Sequence, residues 1–359
     1  MNKSLSLFLD LLRLGAALLV LVGHMAEVFA LHLPDLIHHS AKEGVAIFFV
    51  LSGFVIAFVT DGRETNWRAY ARSRYLRMVS VVPLAVVVLC LCYAIGVRID
   101  PAAYAPGPVA LAGTVGDPPS LAGVLRYLTF TNELWFARAV ISTGAPFWSL
   151  GFEMAYYVAF AILLFGRGWW RVAMMAAWAA VCGPRIVLAF PLWLIGVVAW
   201  HMVRRGVRLS PARGWPLVGL TALAVLAWRK FASAPAAPLF EWHAPGALAL
   251  SMGYYAVLAV LIALLIVSFA ATAPGQGFWP APVERAVRFL AGASFTLYIA
   301  HLPLMVLFAV LLPASLGGAA KAAITTTLTI LAVLLLAEVG ERRKNTYATI
   351  TYKFGQYVA

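Results

Sequence analysis

The chain has 359 residues, of which 63% are hydrophobic and 11% are charged, and its mean hydropathy is +0.89. Soluble domains usually carry about a quarter charged residues, so this composition excludes an ordinary soluble protein, a disordered chain and a disulfide-rich secreted module. An integral membrane protein built of helices remains, because the alternating strands of a membrane barrel would not give long unbroken apolar runs.

The formal net charge is +13. In a soluble protein this excess would suggest a nucleic-acid partner, but no basic, polar domain is present to hold one, so we expect no nucleic acid. Basic residues on the cytoplasmic loops of a membrane protein explain the excess better. The three cysteines lie in apolar segments and give neither a metal-ligand spacing nor a disulfide framework, so no metal is expected.

Ten membrane spans are predicted, since a crossing needs about 20 apolar residues. In chain order they cover 9–31, 43–60, 79–99, 146–165, 169–183, 186–203, 215–230, 246–270, 292–313 and 320–339. The pair over 169–203 is the least distinct, because Gly183 and Pro184 are typical of either a turn or a kink. The expected fold is an all-α integral membrane protein, a bundle of about ten transmembrane helices.

The distribution of lysine and arginine predicts the orientation. With the N-terminus in the cytoplasm, eighteen of the 27 basic residues lie in inner segments and eight in outer ones. This bias predicts that both termini are cytoplasmic. We expect one transmembrane domain over 1–345, followed by a short cytoplasmic tail over 346–359.

The longest polar connection, roughly 100–145, is predicted on the outer side. It is rich in proline and glycine, and long irregular loops in compact proteins are often functional. Trp135 and Trp148 near its end either anchor the chain at the membrane interface or line a cleft, and anchoring is favoured.

Ionisable residues inside spans are the best pointers to function, because they are costly there and usually face a cavity or a partner. On the first helix, Arg13 and His24 lie eleven positions apart, which places both side chains on one face at a separation of roughly 16 Å. Asp10 and Glu27 are close enough to neutralise or orient them. A structural ion pair beside a packed histidine is the alternative, and a functional role is favoured.

His24 and Glu153 are both predicted about 10 Å below the outer ends of their spans. At equal depth they can meet across a bundle. A histidine–carboxylate pair fixes the imidazole tautomer and raises its basicity, which suits a general base acting on a hydroxyl. The alternative is a polar pair that only joins two helices.

Three further groups of residues have a structural explanation beside a functional one. Arg74 and Arg77, three positions apart at the inner face, suit phosphate but are equally explained by positive-inside charge. His301 in the ninth span is more simply explained as a packed, hydrogen-bonded histidine. In the segment 44–56, Gly44, Ser52 and Gly53 favour close helix packing.

Five strings in order make the chain similar to the acyltransferase 3 family of membrane O-acyltransferases, which modify envelope and exported glycans in bacteria. They are LDLLRLGAALLVLVGH (9–24), GVAIFFVLSGFVI (44–56), RYLR (74–77), FWSLGFEMAYY (147–157) and ASFTLYIAHLP (293–303). The chain departs from the family pattern at Ser80, where proline is frequent, and at Ala46. It resembles the stand-alone type, without an added hydrolase-like domain.

The resemblance implies an acyl-CoA-dependent O-acyltransferase in the bacterial inner membrane. It would transfer an acyl group, most often acetyl, from cytoplasmic acyl-CoA to a glycan or sugar-containing acceptor at the outer face. His24 and Glu153 would be catalytic, and Arg13, Arg74 and Arg77 would bind the donor. Supporting candidates, the oxyanion donor among them, are Ser52, Trp148, Ser149 and His301.

A transporter or flippase of lipid-linked sugars or small anions is the alternative, because intramembrane Arg, His and Glu are typical of transport pathways. Inverted repeats would favour it, and the sequence contains none. A transporter would also leave the five ordered strings unexplained.

Overall fold

The structure is a computed structural model that describes residues 1–31, 33–34, 40–62, 64–106, 115–137, 139–232, 245–272, 278–343 and 346. The predicted tail over 346–359 therefore lies outside the described residues, except for Thr346. The described residues form helices and connecting loops, with an isolated bridge between Asp117 and Ile141 and no named strand. An all-helical membrane protein is thus confirmed.

Thirteen α-helices occur in the described part of the chain. They are α1 (Lys3–Val28), α2 (Ser40–Thr60), α3 (Trp67–Val79), α4 (Val82–Ile99), α5 (Leu121–Leu128), α6 (Trp148–Phe165), α7 (Gly168–Cys182), α8 (Pro184–Arg204), α9 (Pro211–Phe231), α10 (Pro245–Thr272), α11 (Ala281–Ala291), α12 (Ser294–Leu311) and α13 (Gly318–Val339). Every predicted span coincides with one of them. Eight segments of the described chain are long and apolar enough to cross a membrane.

The eight do not include α7 and α9. Helix α7 has 15 residues, about 22 Å at the rise of an α-helix, which is short against a hydrocarbon core of about 30 Å. Helix α9 has 21 residues but carries Arg229 and Lys230 in its last turn. A multi-pass membrane protein is therefore established, with eight candidate crossings in the part of the chain that the structure describes, while the count of ten stays a prediction.

Local sequence explains where several helices begin and end. Asn66 caps α3 by accepting a hydrogen bond from the backbone N–H of Ala69 at 2.9 Å. Pro83 occupies the first turn of α4, where its missing N–H is tolerated. Gly183 has φ +81°, a conformation that glycine adopts readily, and Pro184 then begins α8, so the predicted break is a turn between two helices.

The chain divides into two compact units. The first comprises Met1–Val20, Leu33–Thr65 and Cys182–Ala291, and the second comprises Leu21–His32, Asn66–Val181 and Gly292–Ala359. In the first unit α2 packs on α8 and α10, and α9 packs on α10. In the second unit α12 packs on α4 and α13, and α3 packs on α6.

The contact between α2 and α8 depends on two glycines. A Cβ atom at Gly53 would lie 2.1 Å from the carbonyl oxygen of Trp193, and one at Gly196 would lie 2.0 Å from that of Val50. Both distances are far below van der Waals contact, so only glycine allows the two backbones to approach this closely. The structure therefore agrees with the packing interpretation of segment 44–56.

A buried ion pair joins α2 to α9 in the same unit. Glu43 is 3% exposed, and its carboxylate accepts a hydrogen bond from Arg229 Nε at 2.6 Å. The Tyr254 hydroxyl donates a further hydrogen bond to Glu43 at 2.5 Å. The pairing satisfies two charges that would be costly to bury alone.

Candidate functional site

The second unit contains a pair of histidines in hydrogen-bond contact. His24 near the end of α1 and His301 in α12 meet with Nδ1 of His24 2.9 Å from Nε2 of His301. The ring centroids are 5.0 Å apart. His301 is completely buried, whereas His24 is partly exposed. The packed histidine expected in the ninth span is thus also the partner of the predicted catalytic one.

The hydrogen bonds of His301 determine its tautomer. Its Nδ1 lies 2.9 Å from the carbonyl oxygen of Leu297 and 3.0 Å from that of Tyr298. Carbonyl oxygens only accept hydrogen bonds, so Nδ1 carries the proton. In the neutral ring Nε2 is then an acceptor, and His24 donates its Nδ1 proton to it. In this tautomer the other nitrogen of His24, Nε2, is the unprotonated one and carries the lone pair that a general base uses.

Glu153 on α6 lies in the same unit and bonds a different residue. The Tyr157 hydroxyl, one helical turn further along, donates a short hydrogen bond to a Glu153 carboxylate oxygen. The Tyr157 ring in turn lies under the guanidinium of Arg74, 5.8 Å from its centroid. The structure therefore gives His24 and Glu153 two partners, His301 and Tyr157, that the sequence analysis did not assign to them.

The two arginines of the RYLR string lie on helix α3, as their spacing requires. Arg74 is 6% exposed, stacks on the Tyr70 ring at 5.0 Å and donates to the Ser73 hydroxyl. It also lines an apolar groove of about 490 Å³ together with Trp67, Tyr75, Met154 and Phe165. A phosphate or pantetheine arm in this groove would meet one buried positive charge.

Arg77 is placed differently from Arg74. Its guanidinium lies 5.5 Å from the Phe295 ring, and the carboxylates of Glu153 and Glu341 act on its charge. Glu341 also accepts hydrogen bonds from the backbone N–H groups of Phe295 and Thr296, which caps the start of α12. The electrostatic influence of Glu341 on Arg77 was not found by sequence reasoning, because Glu341 lies beyond every motif string.

Ser149 and Trp148 begin α6 within the second unit. The Ser149 hydroxyl lies 2.7 Å from the Tyr298 hydroxyl, which also lies 3.2 Å from the Pro146 carbonyl oxygen. Trp148 packs edge-on against Phe152 at 5.3 Å. Tyr298 therefore links the helix that carries Ser149 and Glu153 to His301, because the backbone carbonyl oxygen of Tyr298 lies 3.0 Å from His301 Nδ1.

The connection before α6 is held to the start of that helix by Tyr127. The Tyr127 ring stacks on Phe147 at 4.5 Å, and its hydroxyl donates to the Gly144 carbonyl while it accepts from the Ile141 N–H. Burial raises the pKa of the Tyr127 phenol, so it stays a donor at neutral pH. Trp135 is 48% exposed and donates to the Ala180 carbonyl at 2.8 Å, which suits an interfacial residue better than a cleft wall.

Arg13 and Ser52 belong to the first unit. Arg13 faces Asp10 at 3.4 Å, and Asp10 is also held by Arg288 at 2.8 Å. The expected neutralisation of Arg13 by Asp10 is present. Ser52 lies within α2, next to the glycine contact at Gly53. A role of either residue in donor binding or catalysis stays a prediction.

The chain matches the acyltransferase 3 family, described as an acyltransferase domain, over residues 6–338. It belongs to that family. It is also similar to acyltransferase MdmB of Streptomyces mycarofaciens, with 29% identity over 203 residues, which are 50% of this chain and 46% of that protein. The chain thus spans about half the length of the curated relative it matches. No solved structure matches the chain significantly.

Proposed function

We propose that this protein transfers an acyl group, acetyl before longer chains, from cytoplasmic acyl-CoA to a hydroxyl of a glycan or sugar-containing acceptor at the outer face of the bacterial inner membrane. Family membership supports acyl transfer by a membrane protein. It also favours the enzyme over the transporter, because a transporter would leave the match to an acyltransferase family unexplained. The observation that carries the proposal is the hydrogen bond between His24 and His301, because it fixes the His24 tautomer in which Nε2 is unprotonated and basic.

In the proposed reaction, the oxygen of the acceptor hydroxyl attacks the thioester carbonyl, and His24 Nε2 takes the proton of that hydroxyl. A C–O bond forms, the tetrahedral intermediate collapses, the C–S bond breaks, and the proton on Nε2 passes to the departing CoA sulfur. His301 keeps His24 in the reactive tautomer throughout. A covalent acyl-enzyme on His24 would use the same nitrogen as nucleophile, so the tautomer serves either route.

The donor would be bound from the inner face. Arg74 is the better placed of the two RYLR arginines, because it lines the groove that an apolar arm can enter. Arg77 would contribute charge from its position beside Glu153 and Glu341. We assign Glu153, with Tyr157, the role of balancing the charge of these arginines and of the imidazolium formed during transfer. Arg13, on the same helix as His24, would contact the donor along its path.

The test separates donor binding from chemistry. A ligand at about 100 times its dissociation constant adds about 2.7 kcal/mol to stability. Acetyl-CoA, longer acyl-CoAs and free CoA should therefore raise the melting temperature of the detergent-solubilised protein. We expect Arg74→Ala to weaken this shift, while Arg68→Ala, which removes an exposed arginine from the same helix, keeps it. Equal ligand-induced rises in melting temperature for the two variants would contradict the assignment of Arg74 to the donor site.

His24→Ala should keep the donor-induced shift and lose transfer. General-base catalysis contributes roughly 10²–10⁴-fold, so acceptor-dependent release of CoA thiol should fall by about that factor. Full O-acylation of the host glycan by His24→Ala would contradict the base assignment.

A further inference from the structure

The first unit encloses a cavity of about 720 Å³ beside the C-terminal end of α8. One wall is the arginine-rich turn that follows α8, and the other wall consists of apolar side chains from α9 and α10. The apolar wall includes Leu217, Leu264, Val267, Ala270 and Ala271. None of the residues in the five motif strings lines this cavity, so its lining shares no residue with the site described above.

The polar wall has an excess of positive charge. It contains Arg204, Arg205 and Arg208 within five positions, and Gly206, with φ +74°, turns the chain between the last two. Arg204 donates to the Asp61 carboxylate at 2.5 Å. Within the described residues, Arg205 and Arg208 have no ion-pair partner, and both are exposed. Two guanidinium groups are thus available to an anion at the rim.

The deeper wall presents hydrocarbon. Its hydroxyl groups, on Thr221 and Ser268, lie 3.2 Å apart, and each also has a backbone carbonyl oxygen of its own helix within hydrogen-bond distance, at 2.9 and 3.0 Å. They therefore need no polar ligand. The indole of Trp200 lies on the same lining. A molecule that fits both walls carries an anionic head and an apolar tail, and a plain soluble anion would use only the rim.

We propose that this cavity binds an anionic phospholipid, with its phosphate on Arg205 and Arg208 and its acyl chains along α9 and α10. Guanidinium forks match phosphate oxygens, and basic pockets between helices at the cytoplasmic face take anionic lipid head groups. The predicted orientation puts this arginine-rich turn on the cytoplasmic side. An acyl-CoA shares the chemistry of a phosphate on an apolar chain, so the experiment separates the two sources. The proposal does not depend on acyl transfer.

The test titrates the full-length, detergent-solubilised protein with phosphatidylglycerol and, separately, with phosphatidylcholine of the same acyl chains. The melting temperature is the readout. We expect phosphatidylglycerol to raise it more than phosphatidylcholine does. In Arg205→Gln/Arg208→Gln the apparent affinity for phosphatidylglycerol should fall about 25-fold, since each arginine near an anionic surface contributes about 1 kcal/mol and 1.4 kcal/mol is tenfold.

The matched control is Arg167→Gln/Arg285→Gln, which removes two exposed positive charges that do not line the cavity and should retain the wild-type response. Arg205→Lys/Arg208→Lys keeps the charge and should retain most of it, which guards against loss through misfolding. Equal responses to the two lipids, or an undiminished response in the glutamine variant, would overturn the proposal. An Arg205- and Arg208-dependent shift with acyl-CoA but not with phosphatidylglycerol would assign the cavity to the donor instead.

Discussion

At the scale of single residues, the chemistry of the site depends on which nitrogen of His24 carries a proton. The backbone carbonyls on the other side of the His301 ring decide this, because they accept the hydrogen bond of His301 Nδ1 and so make its Nε2 the acceptor for His24. A carbonyl performs the orienting task that a carboxylate performs in a catalytic triad. This arrangement places no charge next to the buried imidazole, which avoids the cost of burying one.

We predict that His301 acts as a positioning residue. In His301→Leu the Nδ1–H of His24 loses its acceptor, so kcat should fall by about 10²-fold, toward the lower range of general-base effects. His301→Gln offers an amide oxygen near the place of Nε2 and should recover a large part of the rate. The measurement is acceptor-dependent CoA release by each variant at saturating donor.

A purely structural role for His301 would give another pattern. Both variants would then lose activity in proportion to their loss of melting temperature, and glutamine would not rescue the rate.

At the scale of elements, the motif in α2 is explained by contact between backbones. Gly53 and Gly196 face carbonyl oxygens of the opposite helix at distances that leave no room for a methyl group. Between membrane helices, close packing of this kind replaces much of the hydrophobic driving force that acts in water. The same reasoning applies to Gly44, whose added Cβ would meet the Ala16 carbonyl oxygen and Val20 at 2.7 Å.

Alanine at Gly53 or Gly196 should therefore destabilise the protein. Overpacking costs about 1–3 kcal/mol, and backbone atoms cannot move aside as a flexible side chain can. Gly219→Ala is the matched control, because this exposed glycine in α9 has open space around its Cβ position. There the substitution should be neutral or stabilise by up to about 1 kcal/mol through helix propensity. Thermal unfolding of the three variants in the same detergent measures both effects, and equal melting temperatures would contradict the packing argument.

At the scale of the whole molecule, the number of crossings depends on whether α7 and α9 span the membrane. With eight crossings or with ten, the two chain ends fall on the same side. The two arrangements differ in the segment between α8 and α9, which holds Arg204, Arg205, Arg208 and Arg213. Ten crossings place these four arginines in the cytoplasm, and eight place them outside. The positive-inside rule favours ten.

Cysteine labelling decides between the two arrangements. We expect Arg208→Cys to resist a membrane-impermeant thiol reagent added to intact cells and to react after permeabilisation. Leu121→Cys, 77% exposed in the outer loop, should react in both conditions. Gly62→Cys, at the inner end of α2, should react only after permeabilisation. The unsubstituted chain gives the background from its three native cysteines. Reaction of Arg208→Cys in intact cells would establish eight crossings and overturn the predicted orientation of that turn.

The sequence by itself determined that the protein is helical and membrane-embedded, because long unbroken apolar runs form transmembrane helices in a bilayer. It also determined the family, because five short strings in order carry more information than any one of them. The position of each helix followed from apolar length, and the break at Gly183–Pro184 followed from local backbone chemistry. All of these are properties of contiguous sequence.

Only the tertiary structure decided which polar residues meet. His24 and His301 are 277 positions apart, and Glu341 lies beyond the last motif, so no local pattern pairs either with its partner. Equal depth makes Glu153 a candidate partner for His24, and that pairing stays a prediction. The contacts of His24 with His301 and of Glu153 with Tyr157 are shown only by the structure, because a pairing across helices depends on how each helix is rotated and packed.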